Sequence, residues 1–593
     1  MAEIGRLVVT TPWFPTPTAP YAGTFVAGWL SALGHPAELT TVIHVETVAP
    51  EAQPAVERRT EPFGTVVRIQ VPASPTAPRP VVARAQLAAL RTHAAQELAA
   101  ADVVHAHVGM PTGWAVASAI PDGTRLVLTE HASYLPRVLH HAESRRLYAE
   151  LVARSERVLT VSEATARMLR AEFPKHRKKV RTVGNPISAE LFPPREALPH
   201  KLRHWLYVGN LLTSKGVDRV IRSFAAYRSE VYPDATLTLV GQGSGEPEMR
   251  ALAAKLGVAD VVEFAGGHPH EELHTWFAAA DVLVHLSRVE TFGLTVIEAA
   301  IGGLPVVVTT CGGPQETLAD AAADGLVRFV PVGDDVESVV AAVEGLETAL
   351  ATSNVTSVRE TLVERYGAEG FSEKVRAALA GEPDPEPNPD APVVVAIGFS
   401  TKAIGRLVTL ADAVIRAGGR PVLVTDQEGE SVQADPRARV VDLSKRRTAD
   451  PVRLLERISE RLTRAPLAAA EAVLTPLGLR GGSLGARADR MLGAVARAES
   501  FRLKVFRAVH RRILSRFYYG WIDPYLVGRA AIRHHLDEIA SDGVDLVVQG
   551  DDTALPLAWR LARLYPDAQV TGAIAGATLH QMVLDVGATH AAR

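Results

Sequence analysis

The sequence predicts an α/β protein in which two doubly wound parallel sheets face a cleft and a third α/β domain follows. Short, almost continuously apolar runs alternate with longer helical stretches, and these runs form two consecutive series. Such runs are typical of parallel strands that helices cover on both faces, so two series predict two sheets. A stretch of alternating proline and acidic residues interrupts the pattern at 381–392 before strand-like runs return. This composition favours an extended spacer between domains.

Each expected strand corresponds to one apolar run. The strands are expected at 7–11, 41–45, 103–105, 126–129 and 158–161 in the first series, at 206–208, 236–240, 282–286 and 306–309 in the second, and at 393–397, 421–425, 440–442 and 546–549 in the third. The expected domains are 1–192, 193–380 and 393–593, with the spacer at 381–392 and a Pro-rich hinge at 193–203. Ligands of such sheets bind beyond the carboxyl ends of the strands, so the cleft between the first two domains is the expected site.

The third domain resembles a partial repeat of the first. Around His105 and His107 the first domain runs from a strand through a helix to a second strand, and residues 545–571 repeat that order. In this register Val548 and Gly550 take the places of the two histidines, so the copy has lost the polar side chains of the original. The alternative is an unrelated βαβ domain with the same general order of elements.

Composition excludes several classes of protein. With 593 residues the chain is too long for one ordinary core, and its 22% of charged residues is typical of a soluble globular protein. The formal net charge of −3 gives no sign of nucleic-acid binding, and the single cysteine, Cys311, excludes a disulfide framework. The chain enters its first strand at once and has no apolar run of about 18 residues. A cytoplasmic protein without a membrane span is therefore expected.

Candidate site residues concentrate in one strand–loop–helix segment. Glu290 follows an expected strand at the edge of the cleft. The next helix opens with Gly293, Leu294 and Thr295, and its free N–H groups suit an anion such as a diphosphate. Glu298 lies on the first turns of that helix, where a carboxylate can accept hydrogen bonds from the two hydroxyls of a ribose. Paired glutamates at this spacing also occur on solvated surfaces, but the surrounding glycine motifs favour a binding site.

This segment, together with a second pair of glycines at 312–313, closely resembles the signature of the family 4 retaining glycosyltransferases. Members of that family have the GT-B fold of two Rossmann-like domains that face a cleft. The resemblance covers residues of about 6–380. It implies that Glu290 contacts the donor sugar and that Glu298 binds the ribose of the nucleotide.

The loop after the strand at 206–208 resembles a family loop in which an arginine and a lysine neutralise the diphosphate leaving group. Lys215 matches the lysine, whereas Asn210 stands where the arginine is expected. An asparagine donates hydrogen bonds but carries no charge, so this departure predicts weaker neutralisation of the diphosphate. Gly241 resembles the glycine turn that follows the next strand, close to the nucleotide.

Three residues of the first domain extend the resemblance. Gly23 lies in an opening loop and would let backbone amides approach the donor phosphates or the acceptor. His107 ends a strand and matches the histidine that contacts the donor sugar, although histidines at strand ends are also structural. His131 resembles a second cleft histidine, a contact of the acceptor or the sugar, with the same structural alternative. The candidate catalytic residues are therefore Glu290, His107 and Lys215.

The resemblance implies a hexosyltransferase that moves a sugar from a nucleotide-diphosphate donor, with retention of configuration, to a glycan, lipid-linked or small-molecule acceptor. The donor is a co-substrate, and no metal or other cofactor is expected because Lys215, Asn210 and the amides at 293–295 would stabilise the leaving group. The alternative is a non-catalytic nucleotide-sugar-binding or scaffold protein, for which Asn210 would mark decay of the site. The context of Glu290 disfavours an epimerase or a phosphorylase of the same fold.

The third domain raises further expectations. Residues 480–533 are rich in arginine and carry apolar residues at helical spacing, which suits peripheral contact with the inner face of an anionic membrane. The alternatives are a helix that packs on the core with a solvated basic face, and a contact between two copies. The pair Asp551 and Asp552 is interpreted as a strand end rather than a metal site. Because the glutamate and glycine motifs do not recur, the domain is expected to have no transferase activity of its own.

Overall fold

The computed structural model describes residues 3–383 except 18 and 20, residues 388–426, 432–444 except 433, and 523–572, together with residues 582, 583, 585 and 586. The chain falls into two compact units, Met1–Pro385 and Glu386–Arg593. The first unit contains an eight-stranded and a six-stranded sheet, and the second contains a five-stranded sheet. These sheets confirm the predicted α/β class of two doubly wound sheets followed by a third.

The first half of the first unit is built on the eight-stranded sheet. Its strands are β1 (Leu7–Thr11), β2 (Thr40–Val48), β3 (Val56–Glu61), β4 (Gly64–Pro72), β5 (Val103–His107), β6 (Arg125–Glu130), β7 (Arg157–Thr160) and β8 (Val180–Thr182). Its helices are α1 (Thr24–Leu33), α2 (Arg79–His93), α3 (Ala95–Ala99), α4 (Trp114–Ala117), α5 (Leu135–His140), α6 (Ala142–Arg154) and α7 (Glu163–Glu172). The strand order is β3-β4-β2-β1-β5-β6-β7-β8. Every residue of β1 and β5 is buried, which explains why their sequences lack a solvated polar face.

The edge of this sheet differs from the prediction. Strands β3 and β4 form an antiparallel hairpin, whereas the other neighbouring pairs are parallel. Strand β3 carries four charged residues, so the apolar-run pattern did not reveal it. Charged side chains suit an edge strand because they discourage pairing with another chain.

The second half of the first unit is built on the six-stranded sheet, which is parallel throughout in the order β11-β10-β9-β12-β13-β14. Its strands are β9 (His204–Val208), β10 (Thr236–Val240), β11 (Val262–Gly266), β12 (Val282–His285), β13 (Val306–Thr309) and β14 (Val327–Val330). Its helices are α8 (Val217–Glu230), α9 (Glu246–Lys255), α10 (Leu273–Ala279), α11 (Leu294–Ile301), α12 (Gly313–Thr317), α13 (Ala319–Ala323), α14 (Glu337–Ala349), α15 (Val355–Tyr366) and α16 (Ala368–Ala380).

The two halves are joined by two segments that run side by side. The backbone N–H of Ile187 donates to the carbonyl oxygen of Tyr366 at 2.8 Å, and Ile187 pairs with Gly367 in a parallel bridge. The expected hinge at 193–203 lies beyond this point. It is held on the second half, where the N–H of Arg195 donates to the carbonyl oxygen of Gly302 at 3.2 Å. Helix α16 then returns to the first half and packs against α1.

The second unit contains β15 (Val393–Ile397), β16 (Arg420–Thr425), β17 (Arg439–Asp442), β18 (Leu546–Gln549) and β19 (Gln569–Gly572), with helices α17 (Thr401–Arg416), α18 (Asp523–Ala540) and α19 (Leu555–Leu564). Its sheet is parallel in the order β17-β16-β15-β18-β19. Strand β18 lies between β15 and β19 as β5 lies between β1 and β6. The partial repeat and the domain boundaries stay predictions. Most of the basic stretch 480–533 lies outside the described residues.

Candidate functional site

The side chain of Glu290 is held from two sides by cationic or polar partners. Its Oε1 accepts a hydrogen bond from Nζ of Lys215 at 2.7 Å and one from Nε2 of His285 at 3.1 Å. Its backbone is fixed as well, because its N–H donates to the carbonyl oxygen of Cys311 and its own carbonyl oxygen accepts from the N–H of Gly313. The structure therefore brings together Glu290 and Lys215, which are 75 residues apart in sequence.

These partners keep Glu290 ionised. Burial opposes ionisation of the carboxyl, but the hydrogen bond from His285 and the charge of Lys215 outweigh it and lower its pKa to about 2. For the neighbouring thiol of Cys311, burial and the negative charge of Glu290 outweigh the hydrogen bond with Thr309 and the charge of Lys215, and they raise its pKa to about 11. The carboxylate is thus a permanent anion at neutral pH, and the thiol stays protonated and unreactive.

The contribution of His285 could not be assigned from the sequence. The residue ends strand β12, where its imidazole is buried and lies parallel to the ring of Tyr207 on β9, with ring centroids 5.7 Å apart. The hydroxyl of Tyr207 donates to the carbonyl oxygen of Asn210 at 2.9 Å, which fixes the stack. A polar residue at the carboxyl end of an apolar strand was the available signal, but only the fold shows that it reaches Glu290.

Helix α11 begins directly beyond Glu290. Gly293 precedes it in the left-handed region with φ 88°, and a Cβ at this position would approach Cγ of Pro314 and Cγ2 of Val296 to 2.9 Å. The first N–H groups of a helix, here those at Leu294 and Thr295, have no acceptor within the helix. Both residues are partly exposed, so this helix start is available to an anionic ligand.

Glu298 lies on helix α11, and its hydrogen-bond partner is different from those of Glu290. Its Oε1 accepts a hydrogen bond from Nε2 of His270 at 2.7 Å, and its carboxylate is buried. Burial opposes the charged form of His270, but the hydrogen bond and the charge of Glu298 outweigh it and raise the pKa of the imidazole above its ordinary value of 6.5. The sequence predicted Glu298 but missed His270, which lies on a short 3₁₀ turn between β11 and α10.

The His270–Glu298 pair predicts a pH dependence of stability. A histidine whose pKa is raised in the folded state contributes stability that is complete below its ordinary value of 6.5 and is lost as the pH rises through the raised pKa. We expect His270→Gln to lower the free energy of unfolding by about 1 kcal/mol near pH 6 and by less near pH 9. Urea unfolding of both proteins at several pH values measures this difference. A constant difference would show that the charge of His270 contributes nothing.

The glycine turn after β10 supports the loop that carries Asn210 and Lys215. A Cβ on Gly241, which has φ 139°, would stand 1.9 Å from the carbonyl oxygen of Gly209. The loops are tied by backbone hydrogen bonds, among them one of 3.0 Å from the N–H of Leu211 to the carbonyl oxygen of Gln242. Gly241 is therefore required for the packing of two loops on each other. Asn210 itself is exposed.

In the first half, His107 and His131 lie against each other. Nδ1 of His107 is 2.9 Å from Nε2 of His131, and the rings are stacked with an interplanar angle of 14°. His105 adds a third imidazole, 4.2 Å from His107 between ring centroids, and its Nε2 is 2.7 Å from Oγ1 of Thr129. The indole of Trp29 contacts all three rings.

Burial determines the charge of this histidine stack. It lowers the pKa of His105 and of His131 to about 3, and it lowers that of His107 well below the ordinary range, with the neighbouring imidazoles acting in the same direction. All three side chains are neutral at physiological pH. In the contact between them, one of His107 and His131 donates the hydrogen bond and the other accepts it.

A buried carboxyl, Glu130, fixes the two loops that carry these histidines. It accepts hydrogen bonds from the N–H of Ala132 at 2.7 Å and from the N–H of Gly109 at 3.1 Å. The hydroxyl of Tyr148 donates a third at 2.7 Å. Val108, between His107 and Gly109, has φ 74°, a conformation that a β-branched residue adopts only when its surroundings impose it.

Gly23 precedes helix α1 in the left-handed region with φ 67°. A Cβ there would stand 2.4 Å from the carbonyl carbon and oxygen of Trp13. The glycine is therefore required where the opening loop packs on the start of α1, and its predicted contact with the donor or the acceptor stays a prediction.

The carboxyl ends of the two sheets meet through side chains of their loops. The contacts are Thr291 Oγ1 to the carbonyl oxygen of His131 at 3.0 Å, Tyr21 Oη to Oε1 of Gln242 at 2.7 Å, and the N–H of Glu163 to the carboxylate of Glu316 at 2.8 Å. Glu163 is the first residue of α7, so Glu316 places a negative charge at the positive end of a helix from the other half. The candidate residues of both halves thus border one cleft.

Outside this cleft, Asp551 of the pair Asp551 and Asp552 accepts hydrogen bonds from backbone N–H groups at the start of a helix. Its carboxylate accepts hydrogen bonds from the N–H groups of Phe399 and Ser400, at 3.1 and 2.8 Å, at the start of α17. A group of three His, Cys, Asp or Glu side chains that could hold a metal ion does not occur among the described residues. In the same part of the chain, no helix is long and apolar enough to cross a bilayer.

Two family models match consecutive parts of the chain. The model described as Glycosyltransferase Family 4 matches residues 27–191, and the model described as Glycosyl transferases group 1 matches residues 189–353. The two matched stretches correspond to the two halves that border the cleft. Residues 354–593 lie outside both models.

Curated proteins match at about 30% identity. A D-inositol 3-phosphate glycosyltransferase 1 from Catenulispora acidiphila is 30% identical over 365 residues, which are 57% of this chain and 84% of that protein. A glycogen synthase from Mycobacterium tuberculosis is 30% identical over 303 residues, 48% of this chain and 71% of that protein. A D-inositol 3-phosphate glycosyltransferase from Streptomyces avermitilis is 32% identical over a stretch that makes up 40% of this chain and 55% of that protein. Among solved structures, a sucrose-phosphate synthase from Thermosynechococcus elongatus shares the fold with a TM-score of 0.50 and 19% identity, over 63% of this chain and 97% of that one.

Proposed function

The chain belongs to the family 4 glycosyltransferases, which have the GT-B fold and use nucleotide-diphosphate sugars, and from this we propose that it is a retaining hexosyltransferase that works without a metal ion. The observation that carries the proposal is the contact between Lys215 and Glu290 beside the start of α11. It places a cation, a carboxylate and free backbone N–H groups together at one end of the second sheet. This set of groups suits a diphosphate with an attached sugar.

We assign each group one part of the donor. The N–H groups at Leu294 and Thr295 bind the diphosphate, and Lys215 neutralises the negative charge that grows on it as the sugar leaves. Glu290 accepts hydrogen bonds from hydroxyls of the donor sugar. Glu298 accepts hydrogen bonds from the hydroxyls of the ribose. In this structure the same carboxylate accepts a hydrogen bond from His270.

Retention of configuration requires the acceptor to arrive on the face from which the diphosphate departs. Glu290 and Glu298 have separate partners, so they do not form the pair of carboxylates with which hydrolases flank a glycosidic bond. We therefore propose that the departing diphosphate itself takes the proton of the acceptor hydroxyl. The neutral imidazole of His107 is a hydrogen-bonding partner for the sugar rather than a second cation.

The acceptor belongs to one of three classes: a glycan, a lipid-linked sugar or a small molecule. The relatives named above act on different acceptors by their names, so the test includes D-inositol 3-phosphate and glycogen beside membrane and cytosol extracts. The second unit has no transferase role in this proposal, because Asp551 occupies the start of α17, where a phosphate would bind.

A donor screen tests the proposal. The purified full chain is incubated with UDP-, GDP- and ADP-sugars and with each acceptor source, in the presence of a chelator, and mass spectrometry follows the products. Release of one nucleoside diphosphate together with a new glycosylated product supports the proposal, and the anomeric configuration of the product decides retention. Binding of a donor without transfer in every mixture would favour the non-catalytic reading instead.

Lys215 gives a more specific prediction. Because Asn210 supplies no charge, Lys215 carries the neutralisation that two cations share in the family. We expect Lys215→Ala to weaken binding of the preferred nucleoside diphosphate about tenfold and to lower kcat further. Calorimetry and initial rates measure the two effects, with Lys255→Ala at the exposed end of α9 as the matched control. Unchanged binding would exclude Lys215 from the diphosphate site.

A further inference from the structure

His285 occupies a position whose surroundings favour an apolar side chain. The preceding residues of β12 are valine, leucine and valine, all buried, and the imidazole is buried with them. Within the described part of the chain, its Nδ1 is a buried nitrogen atom without a hydrogen-bond partner. An unpaired buried polar atom lowers stability, so a leucine would suit the strand better. The hydrogen bond from Nε2 to Glu290 is what the histidine adds.

Lys215 is required in two places during the reaction. In this structure its ammonium pairs with Glu290, whereas the proposed function needs it at the diphosphate of the donor. A buried carboxylate that loses its only partner is strongly destabilised. If Lys215 were that only partner, part of the binding free energy of the diphosphate would be lost to breaking the ion pair.

The geometry removes this conflict. Oε1 of Glu290 holds Lys215 and His285 at once, so the carboxylate keeps one hydrogen bond when the lysine turns away. The lysine side chain is 25% exposed on a short turn before Gly216, so part of its surface faces solvent rather than packed neighbours. The imidazole, in contrast, is fixed by its stack on Tyr207.

We propose that His285 is a positioning residue that retains Glu290 in place and so releases Lys215 to the diphosphate of the donor. This proposal rests on the proposed function, since it presupposes that Lys215 binds the diphosphate. It assigns to His285 an effect on the affinity for a nucleoside diphosphate that carries no sugar and therefore never contacts Glu290.

The test is calorimetry of the full chain with UDP, GDP and ADP, using the nucleotide that wild type binds most tightly. We expect His285→Leu to weaken that binding about tenfold, because Lys215 must then abandon an otherwise unpartnered carboxylate. His285→Gln, whose amide can donate from a similar position, is expected to stay within about threefold of wild type. The double variant His285→Leu with Glu290→Gln is expected to bind as tightly as Glu290→Gln alone, since the amide at 290 carries no charge that needs a partner.

The outcomes separate the proposal from its premise. Wild type that binds none of the three nucleotides and transfers no sugar overturns the proposed function itself. If wild type binds and transfers, equal affinities of wild type and His285→Leu overturn the role of His285. Equally weak binding by His285→Leu and by the double variant would show that the imidazole only packs the strand end, which also overturns it. Circular dichroism verifies that each variant folds. If His285→Leu does not fold, a tenfold loss of nucleotide affinity in folded His285→Gln overturns the proposal.

Discussion

Glu290→Gln is expected to lower kcat by a factor of about 10²–10³ while leaving the affinity for the nucleoside diphosphate unchanged or slightly higher. The carboxylate is held as an anion, with a pKa of about 2, against the burial that opposes its charge. An amide of the same shape keeps the packing but loses the charge and half of the acceptor capacity toward the sugar hydroxyls. It also frees Lys215 from its ion pair, so diphosphate binding is not weakened.

Initial rates and calorimetry on the same preparation separate these two effects. The matched control is Glu360→Gln on helix α15, where the glutamate is exposed and the same change of charge should leave both quantities unaltered. A kcat within about threefold of wild type would show that Glu290 takes no part in the chemistry and serves only as an ion-pair partner of Lys215.

Gly241→Ala is expected to weaken binding of the nucleoside diphosphate by more than about tenfold and to lower the free energy of unfolding by about 2 kcal/mol. The new methyl group would stand 1.9 Å from the carbonyl oxygen of Gly209, and a backbone oxygen cannot swing aside as a side chain can. The loop from Gly209 to Lys215 must move as a whole. Its displacement separates Lys215 from the start of α11.

The control for this prediction is Gly257→Ala. Gly257 also has a positive φ, 72°, but a Cβ there has open space within 4 Å. Gly257→Ala therefore introduces backbone strain of about 1 kcal/mol without a steric clash, and this variant should not change nucleotide binding. If Gly241→Ala and Gly257→Ala bind the nucleoside diphosphate with the same affinity in calorimetry, the packing of the two loops has no part in forming the site.

Local patterns were sufficient to predict the fold class and to single out the candidate donor residues one by one. Continuous apolar runs revealed the buried parallel strands, and Glu290, Glu298 and Lys215 stood in motifs whose order along the chain matches a known family. The contact between Lys215 and Glu290 required the strand order, because β9 and β12 are neighbours in the sheet although 75 residues of sequence separate the two side chains.

The missed features share a physical cause. His270 and His285 each stabilise a glutamate through a single hydrogen bond, to a residue 28 and 5 positions away respectively, and neither contact leaves a periodic trace in the sequence. Strand β3 was missed because its charged residues hide an edge strand from any search for apolar runs. For Gly241 the sequence predicts a turn close to the nucleotide, which stays a prediction, and the close approach of Gly209 is a further requirement for glycine that only the fold shows.

The stack of His105, His107 and His131 has a consequence for how the rate should vary with pH. Burial lowers the pKa of His105 and of His131 to about 3 and that of His107 well below its ordinary value, away from the region in which histidines usually titrate. No limb of a pH–rate profile between about pH 5 and 9 can then arise from these three residues. Despite its three stacked histidines, the first half would thus show the acid tolerance of a domain that has none.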